Sequence, residues 1–238
     1  MLDNLLNIKK PYFTIVYFLA LVIDLWGKLN LEIVPYRYIT KSLLMILLIV
    51  FYLKNQKINK GKNHFYTLTA LFLFWIASIA VIDHINNFRF IFGMLFFVLG
   101  KAMYCLRFTN NRDFKLARLL PFLTGSFILM VSVLFLIYKG LGIFFIPVLI
   151  YFFISLLLSL FAYLRKNDVN AKSYNFVMLS LFFLILSDII MGIKTYYISI
   201  PFQDILVMLF YGIGQFLIVY GILIEKKTDE EELIKIKL

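Results

Sequence analysis

The stretch LFFLILSDIIMG, residues 181–192, holds a single carboxyl group, Asp188, in a run otherwise suited to hydrocarbon. An acid at membrane depth costs at least about 2.5 kcal/mol on insertion scales, so it persists where a partner neutralises it or where it moves protons. Further along, Tyr211 and Gln215 stand four residues apart, which stacks a phenol and an amide on one helix face. Gly212 and Gly214 beside them allow another helix to approach closely. A Tyr-x-x-x-Gln face next to Asp188 predicts hydrogen bonds donated to that carboxylate and a polar pocket that opens outward and admits a lipid headgroup. Lys101, in FGMLFFVLGKAMY, is the cation that could pair with Asp188. Ser78, in FLFWIASIAVID, is a further polar group late in an apolar run. Asp24 and Lys41 fall close to helix ends, where snorkelling to the interface is the plainer reading. Equally plain readings exist for the others: a structural Lys101–Asp188 ion pair, and interhelical hydrogen bonds from Tyr211 and Gln215.

The elements that position these residues are transmembrane helices. The chain has 238 residues, 63% hydrophobic and only 16% charged, with a mean hydropathy of +0.91, whereas a soluble domain carries roughly 25% charged residues. Residues 63–82, 119–138, 140–164 and 205–224 are free of charge and long enough to span a bilayer. Four more apolar stretches carry one charge each: 11–27 (Asp24), 38–53 (Lys41), 89–106 (Lys101) and 173–193 (Asp188). The expected fold is therefore all-α and polytopic, eight membrane helices packed as antiparallel hairpins. Residues 1–226 form the single membrane domain, and residues 227–238 form a charged cytoplasmic tail. Turns fall at Pro35, Asn86-Asn87 and Pro201 on one side, and at KNQKINKGKN, TNNRDFK and RKNDVNAK on the other. A faint 4+4 parallel repeat relates helices three and four to helices seven and eight: Ser78 corresponds to Asp188, and Lys101 to Gln215. At about 1.5 Å per residue, Asp188 sits some 7 Å below the outer helix end, and Lys101, Tyr211 and Gln215 some 12–18 Å.

Lys and Arg set the orientation. They concentrate at Lys9 and Lys10, Lys54 to Lys62, Arg107 to Arg118, Arg165 to Lys172 and Lys226 to Lys237, all on one side of an eight-helix chain. That side is expected to be cytoplasmic, with both termini, in the inner (cell) membrane of a bacterium. The net charge of +11 then needs no nucleic-acid partner, because short dispersed basic clusters suit anionic lipid. The first apolar segment lacks a small-x-small cleavage site and is expected to be retained. A single cysteine, Cys105, excludes an intrachain disulfide and a Cys-rich metal site. His64 and His84 fall in or beside loops, read as solvated, and lack a second ligand at helical spacing. No metal and no cofactor is expected, and motifs for serine hydrolases, P-loops and dinucleotide binding are absent.

Helices seven and eight, SYNFVMLSLFFLILSDIIMGIKTYYISIPFQDILVMLFYGIGQFLIVYGI, resemble the YhhN family of eight-helix membrane proteins, which includes lysoplasmalogenases. The matching elements are Ser187-Asp188, Pro201 in the following turn, and the Tyr211 to Gln215 face. Lys41 stands where the family often has Lys-Pro at the start of helix two. The resemblance implies cleavage of the vinyl ether bond of a lysoplasmalogen, giving a fatty aldehyde and a glycerophospho-base. That chemistry needs an acid to protonate the enol-ether carbon and a base to activate water, which by analogy with glycosidases suits two carboxyl groups. Asp188 would be one of them, with Ser78, Lys101, Tyr211, Gln215 and Lys41 lining the substrate. The chain departs from the family in two places. Ala77-Ser78 stands where Gly-Asp is usual in helix three, and Lys101 replaces a histidine in helix four; Asp83 and Asp24 are weak substitutes for the missing acid.

The readings that follow are an ether-lipid hydrolase, a catalytically silent lipid-binding or scaffolding relative, and a small-molecule transporter. The expected partners are a lysophospholipid or ether lipid and the bilayer itself. Against transport, neither Asp188 nor Lys101 lies on a helix broken by Gly and Pro at midplane.

Overall fold

The computed structural model describes residues 10–30, 36–56, 61–82, 87–109 and 116–226. Among them the chain forms α1 (Lys10–Asn30), α2 (Tyr38–Asn55), α3 (Lys62–Ala80), α4 (Asn87–Phe108), α5 (Leu116–Leu141), α6 (Phe145–Leu164), α7 (Ala171–Tyr196) and α8 (Gln203–Leu223). The described secondary structure is helical, as it must be where hydrocarbon offers no partner for backbone N–H and C=O groups. Among the described residues, seven helical stretches are long and apolar enough to cross a membrane. The longest, the 49 residues Leu119–Asn167, contains most of α5 and all of α6. They are joined at Gly142, whose φ of +47° suits a residue without a side chain. Beyond that turn the chain runs back along α5, so that Phe122 at one end of the hairpin stacks on Tyr163, ring centroids 4.5 Å apart. Pro35, Asp83, His84, Asn86 and the expected tail lie outside the described residues.

The chain divides into two compact units, Met1–Met103 and Tyr104–Leu238. In the first, α2 packs against both α1 and α3. Phe13 stacks on Phe51 at 3.8 Å. Asp24 corrects an expectation: it does not snorkel but is fully buried. Its Oδ1 accepts from Arg37 Nη1 at 3.0 Å and from Thr40 Oγ1 at 2.6 Å, and Arg37 also donates to the Asp24 carbonyl at 2.9 Å. The short α1–α2 connection brings a buried cation to the acid, which removes any need to reach water. His64 is a second correction. It is half-buried, with its ring stacked on Tyr52 at 5.6 Å.

In the second unit, α5 packs on α6 and α7, α6 on α7, and α7 most extensively on α8. The α7–α8 contact has a regular chemistry. Ser173, Ser180 and Ser187, spaced by seven residues, donate to the carbonyls of Gly221, Gly214 and Val207 at 2.8, 2.7 and 2.8 Å. The acceptors are spaced by seven in the opposite direction, which is the register of an antiparallel heptad pair. Small residues bring the backbones close enough for it. A Cβ on Gly214 would stand 2.7 Å from Leu184 Cγ, and one on Gly221 2.8 Å from Val177 Cγ2.

At the opposite end of this hairpin from Asp188, Arg107 and Arg165 both donate to Glu225 Oε2, at 2.8 and 2.7 Å. Arg165 also stacks over Phe108, 4.4 Å from the ring centroid. The cluster ties the end of α4, the α6–α7 connection and the second residue beyond α8.

The two units share a local pattern. In the first, Gly100 packs on the Phe74 ring, one turn before Ser78; in the second, Gly214 packs on Leu184, one turn before Asp188. The next residues on α4 and α8 are Lys101 and Gln215, both buried.

Candidate functional site

The apolar sequence around Asp188 keeps α7 helical as far as Tyr196, three residues beyond the expected end. Lys194 is tolerated there because its ammonium pairs with Asp204 at the start of α8. Asp188 therefore lies eight residues from the helix end, about 12 Å down at 1.5 Å per residue, deeper than the sequence predicts. It is half-buried, neither sealed in the core nor turned fully to the exterior.

Its Oδ1 accepts a hydrogen bond of 2.6 Å from the phenol of Tyr151, on α6. Sequence reasoning missed Tyr151. It is one of 15 tyrosines and shares the charge-free window that forms α6 with Tyr163, with no spacing that links it to α7. The signal that could have found it is depth, since six residues after Phe145 place it about 9 Å from the same end as Asp188. The backbone carbonyl of Tyr151 accepts from Ser155 Oγ at 2.8 Å, and its ring meets Phe152 edge-on. Tyr211, eight residues into α8, is close enough to act electrostatically on the Tyr151 phenol. The second unit thus gathers Tyr151, Asp188 and Tyr211 at one depth on three successive helices.

Gln215 is one turn deeper on the Tyr211 face, as the spacing predicts, and is fully buried. It does not donate to Asp188, contrary to expectation, because neither its Nε2 nor its Oε1 has a hydrogen-bond partner. The reason is register: α8 meets α7 through Gly214 and Gly221, which turns the neighbouring amide away from the serine ladder. Ser187, beside Asp188, is buried and spent on the Val207 carbonyl.

The remaining candidates lie in the first unit. Ser78 is fully buried and donates to the carbonyl of Trp75 in its own helix at 2.7 Å. Lys101 is buried in α4, and Lys41 is half-buried in the first turn of α2. Among the described residues no group of three or more His, Cys, Asp or Glu could hold a metal ion.

This geometry defines an all-helical membrane protein with a carboxyl–phenol pair held at membrane depth. Residues 36–222, α2 to nearly the end of α8, match the YhhN family, and the chain belongs to that family. Neither a curated protein nor a solved structure matches it. Membership points to a lysoplasmalogenase-like membrane protein.

Proposed function

We propose that this YhhN member is a membrane-embedded hydrolase of the vinyl ether bond of lysoplasmalogen-type lipids. In the reaction, the enol-ether carbon takes a proton and leaves an oxocarbenium ion on the adjacent carbon. Water adds to that carbon and loses a proton, and the hemiacetal collapses to a fatty aldehyde and the free glycerol hydroxyl. Asp188 is the proton-transferring carboxyl group. Tyr211 and Gln215 contact the polar part of the lipid, and the acyl-like chain stays in the bilayer. The observation that carries the reading is Asp188 itself, a half-buried acid held by a phenol about 12 Å inside an apolar helix. A carboxyl group kept there at a cost of at least about 2.5 kcal/mol is a functional group by default. The protein sits in a bacterial inner membrane with both termini in the cytoplasm, on the side of its Lys-rich and Arg-rich turns.

A catalytically silent lipid-binding relative is the second reading. It is favoured by Ser78, whose hydroxyl is spent on its own helix where the resemblance implies an acid. Purified protein incubated with a lysoplasmalogen and an aldehyde trap separates the two. The hydrolase releases aldehyde, and Asp188→Asn, folded to the same extent, loses at least about a hundredfold in rate, the lower end for a proton-transfer group. Lipid binding without aldehyde from the wild type leaves the silent reading.

A further inference from the structure

We infer that Tyr151 is the positioning residue of the reaction, acting through Asp188; this rests on the hydrolase reading above. An Asp carboxyl turns about a broad, two-fold torsion, so in an apolar surround its two oxygens exchange places unless one is held. Tyr151 holds one. Its phenol donates to Oδ1 at 2.6 Å, within the range of about 2.5–2.7 Å for a bond from a hydroxyl to an anionic oxygen. Oδ1 is thereby committed as an acceptor, and proton exchange with the alkenyl ether or with water falls to the other oxygen in a fixed direction.

The phenol is itself fixed. It projects from α6, which packs directly on α7, and Phe152 and Ser155 on the same helix contact its ring and its carbonyl. The hydrogen bond crosses from one helix to the next, so it reports α6–α7 packing to the acid. Rigid support of this kind matters because a displacement of about 1 Å costs on the order of a hundredfold in rate. A purely structural bond would act differently: its loss would lower stability and leave turnover per folded molecule alone.

The test is Tyr151→Phe in the full-length protein, which keeps the ring and deletes the donor. Aldehyde release from a 1-alkenyl lysophosphatidylethanolamine is followed per folded molecule, over a range of substrate concentration. The expected result is a fall in kcat of about tenfold to a hundredfold, as for removal of supporting groups around reactive ligands, with KM within about twofold of wild type. Wild-type kcat in Tyr151→Phe, or a loss confined to KM, overturns the inference and leaves the hydrolase standing. Absence of aldehyde from folded wild-type protein overturns both.

Discussion

Asp188 and Gln215 are the two residues whose placement is hardest to explain by packing alone. Burying an amide with neither end bonded costs about 1–3 kcal/mol for each group. A leucine at the same position would relieve that cost. If the amide contacts the lipid, Gln215→Leu raises KM severalfold while the melting temperature of the lipid-free protein stays level or rises; a titration of rate against substrate and a thermal melt read the two effects. The sequence made Gln215 visible because a polar residue interrupts an apolar run at i+4 from Tyr211. It could not disclose that the amide is unbonded, since that depends on which face of α8 meets α7. Tyr151 was hidden for the complementary reason: tyrosine is frequent in this chain, and its link to Asp188 exists only through the packing of two helices 37 positions apart in sequence.

At the scale of elements, the α7–α8 hairpin sets the depth and direction of Asp188. At two of its three serine-to-carbonyl bonds the acceptor is a glycine, whose missing side chain lets the backbones meet. The glycines matter more than the hydroxyls, because interhelical hydrogen bonds in membranes average about 0.6 kcal/mol each. Gly214→Val drives new atoms against Leu184 and the Ser180 carbonyl, which separates the helices. It is expected to lower the melting temperature well beyond Ser180→Ala, as measured on the two purified variants by thermal unfolding. Four of the helices were legible from charge-free windows and four from apolar stretches with a single charge, and their bounds fall within a few residues of the observed ones. The end of α7 was not, because Lys194 reads as a loop cation until Asp204 is seen beside it. Asp24 misled in the same way. A charge near a helix end looks solvated in one dimension, whereas the hairpin folds Arg37 and Thr40 onto it.

On the scale of the whole molecule, Ser199 and Lys226 are separated by one helix, α8, and are predicted to lie on opposite sides of the membrane. Both are exposed, and Cys105, the natural cysteine, is buried. After Cys105→Ala, a cysteine at Ser199 should react with an impermeant thiol reagent on intact cells, and one at Lys226 only after permeabilisation. The opposite pattern would invert the orientation. Family membership was legible from α7 and α8 alone, because Ser187-Asp188, Pro201 and the Tyr211 face are local features; the match over residues 36–222 extends it to the first unit. The most direct test of the central claim is the mass of the aldehyde formed from a lysoplasmalogen in D2O. Protonation of the enol-ether carbon predicts one deuterium on the carbon next to the aldehyde, formed by the wild type and not by Asp188→Asn. Release that is equal in the two proteins, or no release from folded wild type, would contradict the account.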